Sequence, residues 1–489
     1  MTPMQAQAQG HPKFAKGFAI MEEAHAWRWL GGLLVVATAA SLRRVQTVNL
    51  VSAVSGRSSN RDEVKVDADK DTDAGGPTRG TPRLDALHIE FLVVNGVVRL
   101  ADWLQGTNMY TLYDSYGLDV SKLFLTGFLT SAVASAFVGG YVDLYGRKRG
   151  ILMYCALEIT IQALEHVPRM DVLLVGRVLG GISTALLFST FESWVVAEHS
   201  ARGLPAEALE RMFAYNSIIN GLSAVLAGVL ARAAHGVAGE IGPFQLALAL
   251  SAVVGVIVAV RWPENYGSAH ESAQGQGGSI LSAAPAVWML CLIQACFEGA
   301  MYTFVVMWVP SFLHLATAAD AARPPTELLF SSLMVALSLG GLVFEMVRET
   351  TGLVAIGVAL LVFSGLSLLV ASAVLERSSK KEEMIVSWFP SAFPGMPHDL
   401  LLGAFCVFEL CCGAFEPWAS TLRARLIDPS AMASVVATMR IPLNLAVWIG
   451  VHLSSVYPLW IVFQMLTAVL TLGCFGLLLL GSVLENKPK

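Results

Sequence analysis

Polar residues along this chain gather in short clusters, and between them run apolar stretches of about twenty residues or more. A helix needs about 20 apolar residues to cross the hydrocarbon of a bilayer. On that measure the sequence predicts one early helix, ending near residue 42, and twelve further spans at 87–114, 121–145, 149–166, 171–198, 212–234, 242–262, 284–312, 327–347, 351–375, 400–426, 431–455 and 457–483. Several exceed 20 residues, which leaves room for tilt. The early run, Trp27 to Leu42, follows Lys13 and Lys16 as a signal peptide would. Against that reading, Glu22 and Glu23 stand where a signal carries positive charge, the run stops at Arg43-Arg44, and no convincing small-residue cleavage site precedes that pair. An uncleaved extra helix is the expectation.

The polar breaks divide the chain into an N-terminal tail and extra helix (1–42), a linker (43–86), a six-helix half (87–262), a connector (263–283), a second six-helix half (284–483) and a short tail (484–489). The linker RSSNRDEVKVDADKDTDAGGPTRGTPR is too polar to fold by burial, so disorder is expected there. Composition agrees: 55% of the 489 residues are apolar and only 14% charged, with mean hydropathy +0.61, against about 25% charged in soluble domains. A net charge of −5 offers no broad basic surface, which excludes a nucleic-acid role. The seven cysteines all lie in apolar stretches without zinc spacing, so they read as small buried hydrophobes. Neither a Walker loop nor a dinucleotide fingerprint nor a nucleophile constellation is present, so no enzyme, no cofactor and no ATP-driven pump is expected.

The two halves repeat. The first helix of half one carries Gln105-Gly106 followed by Met109-Tyr110-Thr111, and that of half two carries Glu298-Gly299 followed by Met301-Tyr302-Thr303. The fourth helices carry Phe191-Glu192-Ser193-Trp194 and Phe415-Glu416-Pro417-Trp418. Trp194 and Trp418 are expected as anchors at the membrane boundary. Between the second and third helices of half one stands Gly139-Gly140-Tyr141-Val142-Asp143-Leu144-Tyr145-Gly146-Arg147-Lys148, with a fainter echo in half two at Gly341, Glu345 and Arg348. Glycines there permit close approach and a tight turn, Asp143 suits a helix N-terminus, and the basic residues suit carboxylates. The positive-inside rule places this densest basic loop in the cytoplasm and the far N-terminus outside, although Lys380 and Lys381 in an outer loop dissent.

Parallel six-helix repeats with that turn resemble the major facilitator superfamily, and Gly176-Arg177-Val178-Leu179-Gly180-Gly181 matches its intramembrane arginine followed by glycines. The resemblance narrows over VGRVLGGISTALLFSTFESWVVAEH, ADWLQGTNMYTLY, IQACFEGAMYTFVVMW and MRIPLNL, which are similar to the molybdate-anion transporter family. It implies an all-α membrane protein of two six-helix bundles with one additional N-terminal helix, and a tetrahedral oxyanion, molybdate, as substrate. The long charged linker and the outer loop 376–399 depart from that family. A multi-pass protein of the plasma membrane is the expectation, with an intracellular membrane as the alternative.

Charged residues inside a span are costly and by default face a cavity or a partner. An oxyanion needs positive charge and donors, which arginine supplies in a planar fork. Arg177 and Arg440 are candidates, with Asn216, Asn220 and Asn444 as neutral donors; alternatively Arg177 pairs with a carboxylate and braces the bundle. A dianion entering a negative cell moves uphill by about 2.3 kcal/mol per charge per 100 mV, or roughly 4.6 kcal/mol for two, so uptake requires a coupled cation. Protons carried by Asp102, Glu298 or Glu409 are the candidate, unless these carboxylates serve as structural partners of Arg99 or Arg440. Glu192 lies about 15 residues, roughly 22 Å, beyond Arg177 on one helix, too far to share a small ligand. Glu192 and Glu416 read as latch residues for Arg147, Arg149, Arg423 or Arg425, and with Asp143, Arg147 and Lys148 they make the expected gating set. Static pairing is the alternative for each. A sugar, peptide or organic-ion carrier, or a transport-inactive receptor or scaffold, remains the rival reading.

Overall fold

The computed structural model describes residues 24, 26–40, 85–266, 285–318, 324–379, 396–427 and 432–485. The linker 43–86 apart from its last two residues, most of the connector 263–283, Lys380, Lys381 and most of the outer loop, the tail beyond 485, and the side chains of Arg440 and Asn444 lie outside the described residues. The helices are α1 (Ala26–Ala40), α2 (Ala86–Ser115), α3 (Val120–Tyr145), α4 (Arg147–Leu164), α5 (Met170–Ala201), α6 (Ala206–Ala238), α7 (Gly242–Arg261), α8 (Pro285–Ala318), α9 (Thr326–Val347), α10 (Leu353–Ser379), α11 (Met396–Leu426), α12 (Met432–Val456) and α13 (Leu459–Glu485). Each of the twelve expected spans corresponds to one of α2–α13. The largest departures are at both ends of α6 and at the C-terminal end of α8, where the helices run several residues past the apolar stretch.

Lipid contact explains where the large apolar side chains point. Phe137, Val256, Val260, Leu366, Leu472, Phe475 and Leu479 are all exposed on the outside of the helices, an arrangement that only a hydrocarbon solvent tolerates on this scale. The chain is a multi-pass membrane protein. Among the described residues, seven helical stretches are long and apolar enough by composition alone to cross a membrane, one of them running through α6 and α7. Helices α2 and α4 are not among them: Asn95, Arg99, Asp102 and Gln105 in the one, and Glu158 and Gln162 in the other, dilute their hydropathy.

Helices α2–α7 form one bundle around apolar clusters of its own, and α8–α13 form the other around a larger cluster that also takes in Ala26 of α1 and Ala224 of α6. The repeat is visible in packing. Phe191 and Trp194 in α5, and Phe415 and Trp418 in α11, are all at most 2% exposed, whereas Glu192 and Glu416 point outward. Trp194 and Trp418 are therefore not boundary anchors, as the sequence suggested. Trp194 stacks on Trp262 at 3.7 Å and donates its Nε1–H to the Pro263 carbonyl at 3.0 Å, while Trp418 donates to the Leu353 carbonyl at 2.7 Å. A buried indole finds an acceptor for its one donor, and here both do.

The two bundles meet mainly at the end opposite the 146–149 turn. There Ser331 Oγ of α9 donates to the Val225 carbonyl of α6 at 2.9 Å, His235 lies 3.3 Å from Glu327, and Gly228 lets α6 approach the backbone of α9. Phe128 of α3 meets Tyr302 of α8 edge-on at 6.0 Å, beside a cluster of Phe124, Leu125, Val306, Leu443, Val447 and Val451. At the other end, which carries the basic turn, the main apolar cluster of the first bundle contains no residue of the second. Among the described residues, the molecule is closed at one end and parted at the other. Helix α1 lies across the closed seam, packed with Val225 and Val229 of α6, Val335, Leu339 and Leu342 of α9 and Leu410 of α11, and Trp29 donates to Asp399 Oδ1 at 3.0 Å.

Candidate functional site

Polar side chains inside the membrane must find partners or line a cavity, and in the first bundle they do both. The central part of α2 holds them at helical spacing. Asn95, Arg99 and Trp103 recur every four residues, so they share one face. Its orientation is fixed by Trp103, whose ring lies 5.7 Å from Phe330 of the second bundle and whose Nε1–H donates to Asn220 Oδ1 at 3.2 Å. One turn towards the parted end, the Arg99 guanidinium stands 5.3 Å over the ring of Phe188 on α5, a ring that is 63% exposed. Asn95 Nδ2 donates to Asn216 Oδ1 at 2.6 Å. Gly106, farther along the same face, has open space over its Cα. Arg99, Asn216 and Asn220 thus sit half-buried just inside the closed seam.

Behind this face lies a buried network centred on Glu158 of α4. Its carboxylate accepts from Gln105 Nε2 at 2.7 Å, Ser183 Oγ at 2.5 Å and Gln162 Nε2 at 3.2 Å, and Gln162 also donates to Gln105 Oε1 at 2.6 Å. Asp102 is within electrostatic reach of both Glu158 and Arg99. Glu158 and Gln162 of α4, and Glu165 just past its end, are not among the candidates expected from the sequence. Their i, i+4, i+7 spacing in an otherwise apolar span was the available signal.

Arg177 pairs with a carboxylate in this structure. It is buried, its Nη2 donates to Glu165 Oε1 at 2.8 Å, and Tyr113 donates its hydroxyl to the same oxygen at 2.7 Å. The Arg177 guanidinium also sits 5.6 Å over the Tyr113 ring, so α2, α4 and α5 are tied together near the closed end. In the second bundle Glu298 of α8 accepts from Gln294 Nε2 at 3.1 Å. Glu409 of α11 is buried, and among the described residues it makes no hydrogen bond or ion pair.

The basic turn is built differently from the expectation for Asp143. Gly146 adopts φ +112°, and a side chain there would strike the Glu264 carboxylate. That carboxylate accepts from the backbone N–H groups of Lys148 at 2.8 Å and Arg149 at 3.2 Å, so Glu264 and not Asp143 caps α4. Asp143 instead pairs with the buried Arg147 at 2.8 Å, and Lys148 Nζ donates to the Ala259 carbonyl at 2.9 Å. The echo in the second half holds a pair at the same turn, Arg348 with Glu345 at 3.2 Å. Glu192 lies one turn beyond Phe188 on α5, exposed at the parted end and without an ion pair among the described residues, while Glu416 pairs with Arg423 of its own helix at 2.7 Å. Among the described residues, no ion pair joins these latch residues across the bundles.

Residues 69–391 match a family described as sugar transporters with twelve transmembrane spans. The chain is 30% identical over 387 residues to the molybdate-anion transporter of Xenopus tropicalis, covering 76% of this chain and 79% of that protein. It is 28% identical over 393 residues to the molybdate-anion transporter of Danio rerio, covering 72% and 75% respectively. Among solved structures it is similar to a bacterial homologue of the iron transporter ferroportin in an inward-facing state, with a TM-score of 0.61 and 15% identity over 81% of this chain and 98% of that one. It is also similar to a peptide transporter in complex with sulfate, with a TM-score of 0.63 and 15% identity over 84% and 96%. At such identities these structures speak for the fold alone.

Proposed function

The chain belongs to the molybdate-anion transporter family of the major facilitator superfamily, and from that premise we propose that it carries molybdate across the membrane by alternating access, coupled to protons. The observation that supports this best is the half-buried polar face of α2 and α6, set just inside a seam that closes one end of the molecule while the other end is parted. A solute held there is cut off from one side and reachable from the other, which is what one half of an alternating-access cycle requires. With the basic turn in the cytoplasm, the parted end faces inward.

In this proposal Asn216 and Asn220 line the path from the first bundle, and Arg440 and Asn444 of α12 are the second bundle's candidates. Arg177 holds the first bundle in shape through Glu165 rather than meeting the solute directly. Asp102 carries the proton, next to the Glu158 network, with Glu298 and Glu409 as the second bundle's carboxylates. Carboxylates taken out of water hold protons more readily, which a carrier needs. The Asp143–Arg147 pair and Lys148 keep the turn between α3 and α4 rigid, and Glu192 and Glu416 latch the parted end when it closes. A neutral solute such as a sugar is the second reading, favoured by the Trp103–Asn220 pair, since an indole and an amide also suit a polyol.

Uptake by purified protein in proteoliposomes decides between them. Saturable molybdate uptake, stimulated by an inward proton gradient and with the stimulated component lost in Asp102→Asn, is the expected result. Sugar uptake without molybdate uptake by the same vesicles would replace the oxyanion with a neutral solute and leave the fold untouched.

A further inference from the structure

We propose that Arg99 is the residue that grips the anion, with the amide N–H2 groups of Asn220 and Asn216 as its neutral companions; this rests on the oxyanion reading above. The sequence motif points to Arg177, but the surroundings of the two arginines differ. Arg177 is buried and its charge is met by Glu165 at 2.8 Å. Arg99 is half-buried on the face of α2 that looks into the cleft, and among the described residues no carboxylate lies within salt-bridge distance of it. Its contact is the π face of Phe188, and its Nε–H, like that of Arg177, is buried with no acceptor, so what sets Arg99 apart is the missing carboxylate. A buried donor without an acceptor leaves its desolvation uncompensated, and an incoming oxyanion is the kind of group that would satisfy it.

The neighbouring amides are set for the same sign of ligand. The indole N–H of Trp103 can only donate, so the Asn220 oxygen must face it and the Asn220 N–H2 is left as a donor. Asn216 has its oxygen facing the Asn95 amide N–H2 in this structure, which leaves the Asn216 N–H2 as a donor. A guanidinium with two amide donors on adjacent turns, beside an aromatic ring and under a closed seam, favours a small oxyanion over a cation. Asp102, three residues after Arg99, supplies the coupling. When Asp102 is ionised it competes for the field of Arg99, and when protonated it leaves the full positive charge to the anion. The titratable and charged groups around this point are Arg99 and Asp102 of α2 and Tyr154 and Glu158 of α4; Phe188 is what α5 presents, and Asn216 and Asn220 are what α6 presents.

The test is binding and uptake of molybdate, with sulfate as a second oxyanion, by wild type, Arg99→Gln, Arg99→Lys and the control Arg169→Gln, whose side chain pairs with Asp171 on the surface. Expected are binding and uptake by wild type and control, at least about a hundredfold weaker binding in Arg99→Gln, and about tenfold weaker binding in Arg99→Lys, which keeps the charge but not the fork. The melting temperature without anion should stay close to wild type in both, because Arg99 holds no structural ion pair. Wild-type oxyanion binding retained in Arg99→Gln overturns the role of Arg99 alone. Absence of oxyanion binding by the wild type overturns both this inference and the oxyanion reading.

Discussion

Arg177→Met is expected to cost the first bundle about 3–5 kcal/mol, because it leaves the Glu165 carboxylate buried without its cation. The second substitution separates bracing from transport. In Arg177→Met with Glu165→Gln, no charge is stranded, and the Gln side chain still offers Tyr113 an acceptor. If Arg177 is a brace, the double variant should regain most of the lost thermal stability and most of the molybdate uptake. If Arg177 touches the solute, the double variant should be stable and yet transport at the level of Arg99→Gln. Thermal unfolding and initial uptake rates of the single and double variants, measured in one lipid, distinguish the two. Static pairing is the outcome that the geometry favours, since Arg177 already donates to Glu165 and Met109, and Tyr113 to the same Glu165 oxygen, within 2.6–2.8 Å.

The sequence made the helices legible because lipid imposes a single requirement on every span, a run of about 20 apolar residues, and polar breaks mark the ends. The repeat was legible for a related reason. Phe191 and Trp194, and Phe415 and Trp418, fill equivalent buried positions, so the same residues recur at the same depth. The site was harder to read. An arginine in a span announces a partner or a cavity but not which, and the decision for Arg177 lay with Glu165, on a different helix. The choice for Arg99 lay with the orientation of α2, fixed by the contact of Trp103 with Phe330 some two hundred residues away. Likewise Glu264, beyond the end of α7, caps α4 more than a hundred residues earlier in the chain, a pairing that no local pattern contains.

Gly228→Leu is expected to stop the two bundles from closing at the seam. A Cβ at Gly228 would overlap the Glu327 carbonyl and the Ser331 hydroxyl of α9, and the carbonyl belongs to backbone that cannot rotate away. Overpacking of this kind costs about 1–3 kcal/mol, and the cost falls only on the state in which α6 and α9 touch. A difference confined to one state shifts the equilibrium by its full size, so the population parted at the seam end should rise by roughly 5- to 150-fold. A cysteine at Phe128, which meets Tyr302 across the seam, reports that change through its reaction with a membrane-impermeant thiol reagent applied from the seam side. Six of the seven native cysteines are buried and add little background. Faster labelling of Phe128→Cys in the Gly228→Leu background, together with loss of uptake, is the expected pair of results. Unchanged labelling with unchanged uptake would mean that the α6–α9 contact is not what seals this end, and that the cycle turns about the α3–α12 contact instead.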